Sequence, residues 1–399
     1  MRYRLVTNVV RVGDRRVTSP ALAEPIFNVP SFSISPVAFQ SKETKDLVHY
    51  LIAVRSGSKD VSDHLQLARH YLDISDERVD ASIKFTDLLA SCAIREILLS
   101  SITTFATVAA KTQYCEGLLN IISERLGKTS KFAFMCNCLD KLAEKVPELK
   151  DRIFKMVKNY RNSADAGKRL SSVVVLSRLE TPESLRAAWS ALATEPVLNV
   201  ARGVLVELSF HASKNSDWEK KYARFLAKTL DNLKHDPSIA SLFVQLFVPL
   251  IKDIEKFVSR LSPETKDAIK KHASILLNGN PMDGVAYLYF KAACEGNLIK
   301  FKFAGVSFTF CTGSNEILKS PGRNNLNAIA ISENLTTLPE QFRVIVAYHE
   351  YVEGQESLKG NEKAHDAAVE AEMRLVRSMD ILTAYRAWIE SINGAEDRF

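Results

Sequence analysis

The sequence predicts a mainly α-helical protein, in which a repeat-like or solenoid-like helical array is followed by a small α+β domain. Three observations predict this class. Apolar residues recur with the period of an α-helix from about residue 41 to residue 296, and a period of two replaces it after residue 297. Only 15 glycines and 13 prolines occur among the 399 residues, which favours long helices joined by short turns.

The length and bulk composition are those of an ordinary globular protein with more than one domain. A chain of 399 residues is too long for one compact core, so we expect three parts, with boundaries after residues 40 and 296. Hydrophobic residues make up 46% of the chain and charged residues 25%, which excludes wholesale disorder. The 53 basic and 47 acidic residues leave a formal charge of +6, which permits contact with nucleic acid or acidic membranes but does not demand it. We expect a protein or peptide substrate rather than nucleic acid.

The sequence carries no clear signal for export, membrane insertion or disulfide bonding. Residues Met1–Val6 lack the apolar core of a signal peptide, and the longest nearly apolar run, Ile239–Ile251, is too short to span a bilayer. The six cysteines are scattered without Cys-x-x-Cys spacing, which indicates buried free thiols in a reducing compartment. We therefore expect a cytoplasmic protein without membrane contact.

Residues 1–40 predict a β-hairpin followed by an extended segment. Gly13-Asp14 separates two β-prone runs, as the turn of a hairpin does. Four prolines follow, and because proline fixes φ and lacks an amide donor, we expect them to run extended over a surface. These prolines are Pro20, Pro25, Pro30 and Pro36.

Residues 41–296 predict helices of about fifteen residues joined by short turns. Two of the helix starts are explicit, because Thr181-Pro182 and Ser262-Pro263 each place a capping hydroxyl before a proline at the first helical position. The stretch Arg169–Leu208 looks most like a repeated unit and resembles HEAT-type helical repeats. That resemblance implies stacked antiparallel helix pairs, whose concave surface would hold a protein partner.

From residue 297 to residue 399 the pattern predicts a small α+β domain that begins with three strands. Ile299–Phe303 and Val306–Phe310 alternate apolar and polar residues around Ala304-Gly305, which predicts a hairpin. A polar loop then leads to a third strand, Leu326–Ser332. The centre of this strand is Ala328, Ile329, Ala330 and Ile331.

The helix after the third strand carries the side chains that suggest chemistry. Thr337 and Glu340 have the spacing of a capping box that opens this helix. His349 lies on its apolar face, and Glu353 lies one turn later on the same face. Glu350 directly follows His349 and lies at the edge of the apolar face of this helix.

The following helix offers a further candidate ligand, His365. Glu353 and His365 are each about one turn from the bend between the two helices, so antiparallel packing places them at the same height. Glu372 lies about 10 Å farther along the second helix, which favours a role in orienting a ligand over a role as a ligand itself. A shift of a few residues in the helix ends would make Glu372 an alternative ligand.

A mixed sheet, a capped helix with a His-Glu pair and a second helix with a further ligand resemble the zincin metallopeptidases. The nearest subset is the minimal gluzincin-like group. In that family the helix motif is HExxH, whose histidines bind zinc while its glutamate activates water, and substrate lies along an edge strand. The resemblance implies that His349 is the first zinc ligand and that Glu350 is the catalytic base. It also implies that the strand Leu326–Ser332 pairs with a peptide substrate.

The motif departs from the family at its fourth position, where Glu353 replaces the second histidine and HExxH becomes HExxE. A carboxylate can bind zinc, so His349, Glu353 and His365 would still form a set of two histidines and one carboxylate. Such a site would hydrolyse peptide bonds, because zinc polarises the carbonyl and water positioned by Glu350 attacks it. The alternative is a non-catalytic helical scaffold or adaptor whose zincin-like domain is degenerate.

Two further features of the C-terminal region complete the prediction. Tyr348, Tyr351 and Tyr385 could each stabilise an oxyanion, and nothing in the sequence ranks them. Apolar residues at helical spacing between residues 380 and 392 predict a last helix that closes the core of the small domain.

Overall fold

The structure, a computed structural model, describes most of the chain from residue 107 onward and shorter segments before it. The described residues are 9–12, 15–18, 49, 50, 53, 54, 57–73, 99, 102, 103, 105, 107–128, 131–303 and 305–393. The proline-rich segment predicted to run extended lies outside these residues. The chain divides into two compact units, one of Met1–Glu24 with Leu208–Phe399 and one of Pro25–Glu207.

The predicted fold class is confirmed, because sixteen α-helices and a small four-stranded mixed sheet make up most of the described residues. The predicted N-terminal hairpin is also present, with Val12 paired to Arg15 across its turn. In chain order, the first elements are β1 (Val9–Val12), β2 (Arg15–Thr18), α1 (Val61–Asp73), α2 (Val108–Arg125), α3 (Phe132–Lys145), α4 (Lys150–Val157), α5 (Ala166–Leu179), α6 (Pro182–Leu192) and α7 (Leu198–Lys214).

Local capping explains where several of these helices begin. The Thr181 hydroxyl accepts a hydrogen bond from the Ser184 amide, and the Ser184 hydroxyl accepts one from the Thr181 amide, so α6 starts with a reciprocal cap. Ser262 caps a later helix in the predicted way by accepting from the Thr265 amide. The HEAT-like character of residues 41–296 stays a prediction.

A buried ion pair holds part of the unit Pro25–Glu207 together. Two nitrogens of the Arg169 guanidinium, on α5, donate to the two carboxylate oxygens of Glu195 at 2.8 Å each. The same guanidinium also donates to the backbone carbonyls of Ser163 and Ala164, at 2.8 and 3.0 Å. It therefore ties the start of α5 to the segment that follows α6.

The unit that includes Leu208–Phe399 contains the sheet and its covering helices. Its elements after α7 are α8 (Trp218–Leu233), α9 (Pro237–Leu246), α10 (Ile254–Val258), α11 (Pro263–Ala273), α12 (Pro281–Glu295), β3 (Ile299–Phe303), β4 (Val306–Gly313), α13 (Asn315–Leu318), β5 (Gly322–Asn325), β6 (Ala328–Ser332), α14 (Glu340–Leu358), α15 (Ala364–Ser378) and α16 (Leu382–Asn393). The sheet has the strand order β3-β4-β6-β5, with antiparallel, parallel and antiparallel neighbours in turn.

Helices cover both faces of this sheet. On one face, Val346 and Ala347 of α14 join a core that includes Phe308, Phe310 and Ile331 of the strands. On the other face, α12 is hydrogen bonded to the strands through Tyr289 with Thr309 and through the Met282 carbonyl with Asn325. α12 is therefore a layer of the same compact unit as the sheet. That unit begins at Leu208, whereas the sequence predicts a boundary after residue 296.

The predicted substrate-pairing strand is corrected by the sheet order. Ala328, Ile329, Ala330 and Ile331 lie in β6, which is hydrogen bonded to β4 on one side and to β5 on the other. All residues of β6 are buried, so this strand is an interior strand and not an edge. The edge on this side is β5, in the stretch predicted to be a polar loop. Its sequence Gly-Arg-Asn-Asn has little of the β-branched or aromatic character by which strands are recognised.

The start of α14 also differs from the prediction. Residues Glu333–Thr337 form a short 3-10 helix, and the Thr337 hydroxyl donates to the carbonyl of Asn334 inside that helix. Pro339 occupies the N-cap of α14 and makes no side-chain cap. The expected capping box is therefore absent, because its threonine belongs to the preceding element.

Two other predictions concern the membrane and the cysteines. No helix in the described part of the chain is both long enough and apolar enough to cross a membrane. The described cysteines are free thiols, and all are buried apart from Cys294, which is partly exposed. Cys92 lies outside the described residues.

Candidate metal centre

The site forms where α14 and α15 pack against each other. The two helices are joined by residues 359–363, in which Gly360 adopts a positive φ of 76° that favours glycine. The face that α15 turns toward α14 carries Ala364, Ala368 and Ala371, all buried. These small side chains allow a close approach of the two helices.

Three of the predicted ligands converge in this interface. Among the described residues, His349, Glu353 and His365 each offer a ligand atom, and these atoms lie within 4.8 Å of one another. Glu353 Oε2 lies 3.5 Å from His349 Nε2 and 3.5 Å from His365 Nδ1. Zinc binds nitrogen and oxygen at about 2.1 Å, so two tetrahedral ligand atoms are about 3.4 Å apart. The two distances from Glu353 and the donor types are therefore those of a candidate zinc site.

Glu372 orients His349 from behind. Its Oε2 atom lies 2.6 Å from His349 Nδ1, on the ring nitrogen that faces away from Glu353. A metal needs the neutral imidazole, and in that form a proton on Nδ1, donated to Glu372, would leave the lone pair of Nε2 for the metal. This contact is the one that the predicted orienting role of Glu372 requires, and carboxylates commonly stand in this position behind metal-binding histidines.

The carboxylates around His349 stabilise positive charge at this point. Burial alone lowers the pKa of the imidazole, but the contacts with Glu353 and Glu372 outweigh it and raise the pKa of His349 to about 10. In return, the contact with His349 holds the pKa of Glu353 below its usual range. Exposure rises across the three candidate ligands, from 14% of the His349 side chain to 31% for Glu353 and 66% for His365. The site is therefore open on the side of α15.

Glu350 lies on the neighbouring side of α14, against the edge strand β5. Its Oε2 atom accepts a hydrogen bond of 2.8 Å from the Asn324 side-chain amide. Burial raises the pKa of Glu350, while the Asn324 hydrogen bond and the nearby His349 lower it in part. A side chain at Gly322 would have its Cβ 3.0 Å from Glu350 Oε1, so the glycine leaves room for this carboxylate.

The end of β5 is held closely against the same helix. A Cβ atom at Gly354 would lie 2.2 Å from the carbonyl oxygen of Leu326, in the turn between β5 and β6. The Gln355 amide donates to Asn327 in this turn at 3.0 Å. These contacts fix the height of β5 beside Glu350.

The three tyrosines named as oxyanion candidates face elsewhere. Tyr351 stacks on Phe308 with ring centroids 4.9 Å apart, and Tyr348 also packs on Phe308, so both rings cover the sheet. Tyr385 donates its hydroxyl to Glu372 Oε1 at 2.5 Å. Burial, and then the Glu372 carboxylate, raise the pKa of Tyr385 well above its usual value.

Sequence reasoning missed Asn324, the residue that holds Glu350. It alternates with Gly322 on the α14 side of β5, a signal that exists only once β5 is recognised as a strand.

In comparisons with known proteins, no family model, no curated protein and no solved structure matches the chain.

Proposed function

We propose that this protein is a zinc-dependent peptidase of the cytoplasm, whose helical region recruits a protein partner or substrate. The observation that carries the proposal is the convergence of His349, Glu353 and His365 at spacings that suit one tetrahedral ion. Two histidines and one carboxylate are the ligand set of many catalytic zinc sites, and three protein ligands leave one position open.

Zinc at this site would supply a Lewis acid for a substrate carbonyl and would make a water molecule a better nucleophile at neutral pH. Glu350 would act as the general base. One of its oxygens is committed to Asn324, so Oε1 is the atom that takes the proton from the attacking water. The same oxygen would then return the proton to the leaving amine. A raised pKa brings Glu350 closer to the neutral range in which a base works best.

The substrate would lie along β5. Among the described residues, this strand is paired on one side only, with β6, and its Asn324 side chain touches the proposed base. An extended peptide that added to the free edge of β5 would have its backbone beside Glu350. The family resemblance implied that the substrate pairs with β6. We propose instead that it pairs with the neighbouring strand, β5.

Metal content and peptide cleavage by the purified full-length protein test the proposal. We expect one zinc ion per chain and cleavage of peptides from a random library. Glu350→Gln should keep the zinc and lose cleavage, by at least about 100-fold for loss of a general base. The matched control is Glu356→Gln, on the same helix, because Glu356 pairs with Lys359 and Asn361 away from the site. Absence of stoichiometric zinc, or equal cleavage by Glu350→Gln, contradicts the proposal.

The replacement of the second motif histidine by Glu353 favours one rival. In that rival the chain is a non-catalytic scaffold or adaptor that keeps the fold of a peptidase. It predicts a protein that cleaves no peptide in the library with any metal, while a partner still binds the helical region.

A further inference from the structure

The C-terminal helix α16 reaches the candidate metal centre through two consecutive hydrogen bonds. Tyr385, on α16, donates to Glu372 Oε1 at 2.5 Å, and Glu372 Oε2 meets His349 Nδ1 at 2.6 Å. Both oxygens of the Glu372 carboxylate are therefore engaged, one by the His349 ring and one by the Tyr385 hydroxyl of α16.

The Tyr385 side chain is fixed in this position by packing. It is 3% exposed, and its ring packs against both Phe342 of α14 and Trp388 of α16, with centroids 6.0 and 5.5 Å away. A buried hydroxyl needs a hydrogen-bond partner, and Glu372 supplies it. Tyr385 in turn removes one of the orientations open to the carboxylate, because a carboxylate that accepts on both oxygens cannot rotate without breaking one bond.

We infer that Tyr385 is a positioning residue for the metal centre, and that through it the docking of α16 and the binding of zinc strengthen each other. This inference rests on the zinc site of the proposed function. Tyr385 acts on Glu372, Glu372 fixes the tautomer and the direction of the His349 ring, and the ring presents Nε2 to the ion. Coupling of this kind is reciprocal, so zinc must favour docked α16 by the same factor by which docked α16 favours zinc.

Zinc affinity tests this chain of contacts without any substrate. Zinc ions alone are titrated against a competing chelator for the wild type, Tyr385→Phe, Glu372→Gln and the double variant. Changes behind a metal-binding histidine weaken binding by about 10–100-fold, and we expect both single variants to fall in this range. Because the tyrosine acts through the glutamate, the double variant should bind no more weakly than Glu372→Gln alone.

The matched control is Tyr287→Phe in the same compact unit. The Tyr287 hydroxyl is also part of a largely buried side chain, and it donates to the backbone carbonyl of Lys270 at 3.1 Å, far along the chain from the centre. Removal of this hydroxyl should lower stability to a similar degree and leave zinc affinity unchanged. Cobalt substitution adds a second measurement, because the visible spectrum of Co²⁺ should shift in Tyr385→Phe and not in Tyr287→Phe.

A measurement on the wild type avoids any question of folding. Amide hydrogen exchange of residues 382–393 should slow when zinc is added to the chelator-treated protein. Unchanged exchange, wild-type zinc affinity in Tyr385→Phe, or additive losses in the double variant each overturn the inference while the zinc site stands. A wild type that binds no zinc overturns the proposed function together with the inference.

Discussion

Glu353 contacts both candidate histidine ligands, and its carboxylate replaces the imidazole that the related motif would place there. A carboxylate brings a negative charge that an imidazole lacks, which favours a divalent cation at the same point. An ionised carboxylate accepts hydrogen bonds but has no proton to donate, so both of its oxygens can face a metal. The residue therefore suits a metal site, although it departs from the familiar pattern.

Two substitutions of Glu353 test whether its side chain binds the proposed zinc ion. Glu353→Ala removes one of three ligands, so zinc affinity should fall by at least about 100-fold, more than the loss of an orienting group. Glu353→His restores a nitrogen ligand and should keep stoichiometric zinc. Zinc titration of both variants is the measurement. Equal zinc affinity in Glu353→Ala and the wild type would remove this residue from the ligand set.

Asn324 offers a test of how Glu350 is held. Asn324→Ala removes the donor to Glu350 Oε2, and a hydrogen bond to a charged group contributes about 1.5–3 kcal/mol. Peptide cleavage should therefore fall by roughly 10–100-fold while zinc content stays at one per chain. Kinetic assays with matched metal analysis check this. Loss of zinc from the variant would mean that Asn324 supports the ligands and not the base.

At the scale of residues, the sequence was informative where contacts are local. His349 and Glu353 are one helical turn apart, and one short bend brings His365 back to them, so helix geometry alone predicts their meeting. Asn324 and Glu350 are 26 positions apart, and their contact depends on the register of a strand that the sequence pattern does not indicate.

At the scale of elements, Gly354 tests the close contact between α14 and the turn after β5. Alanine is the better helix former by about 1 kcal/mol, yet its Cβ would lie 2.2 Å from the Leu326 carbonyl oxygen. Backbone cannot rotate aside as a side chain can, so Gly354→Ala should lower the free energy of unfolding by about 1–3 kcal/mol, measured by urea denaturation.

The control for this prediction is Gly284→Ala in α12, a helix of the same unit. There the added Cβ would meet the Cγ2 methyl of Ile317, at 2.8 Å. A side-chain methyl can be displaced by rotation about the Ile317 Cα–Cβ bond, whereas a backbone carbonyl cannot, so this variant should lose less stability than Gly354→Ala. Equal destabilisation by both variants would argue against a special role for the contact at Gly354.

The strands show why the sheet was only partly predictable. β3 and β4 alternate apolar and polar residues because one of their faces is buried, and they were predicted within a few residues. β6 was recognised as a strand, but a short apolar run of this kind does not tell an interior strand from an edge. β5 has a polar sequence because its asparagine side chains make hydrogen bonds, Asn324 to Glu350 of α14 and Asn325 to the Met282 carbonyl of α12.

At the scale of the whole molecule, the ion pair of Arg169 and Glu195 should control the stability of the unit Pro25–Glu207 alone. Arg169→Met leaves the Glu195 carboxylate buried without its partner, which costs about 3–5 kcal/mol. Differential scanning calorimetry should show one transition lowered, with zinc affinity unchanged. Arg152→Met, which removes an exposed pair with Glu116, should cost at most about 1 kcal/mol.

The division of the chain into units was the least predictable property. The change of period near residue 297 correctly marks the first strand of the sheet, but a change of secondary structure is not a domain boundary. Helix α12 precedes that change and packs on the sheet through Tyr289 and Asn325. The apolar stripe of a helix shows that one face is buried but not which element covers it, so the sequence pattern does not predict this packing.

The alanines of α15 carry no chemistry, and yet the dimensions of the centre depend on them. Ala364, Ala368 and Ala371 are buried where α15 meets α14, so three methyl groups act as the spacers between the two histidine-bearing backbones. Any bulkier residue at one of these positions would push the helices apart and lengthen the distances among His349, Glu353 and His365, without changing any of the three residues.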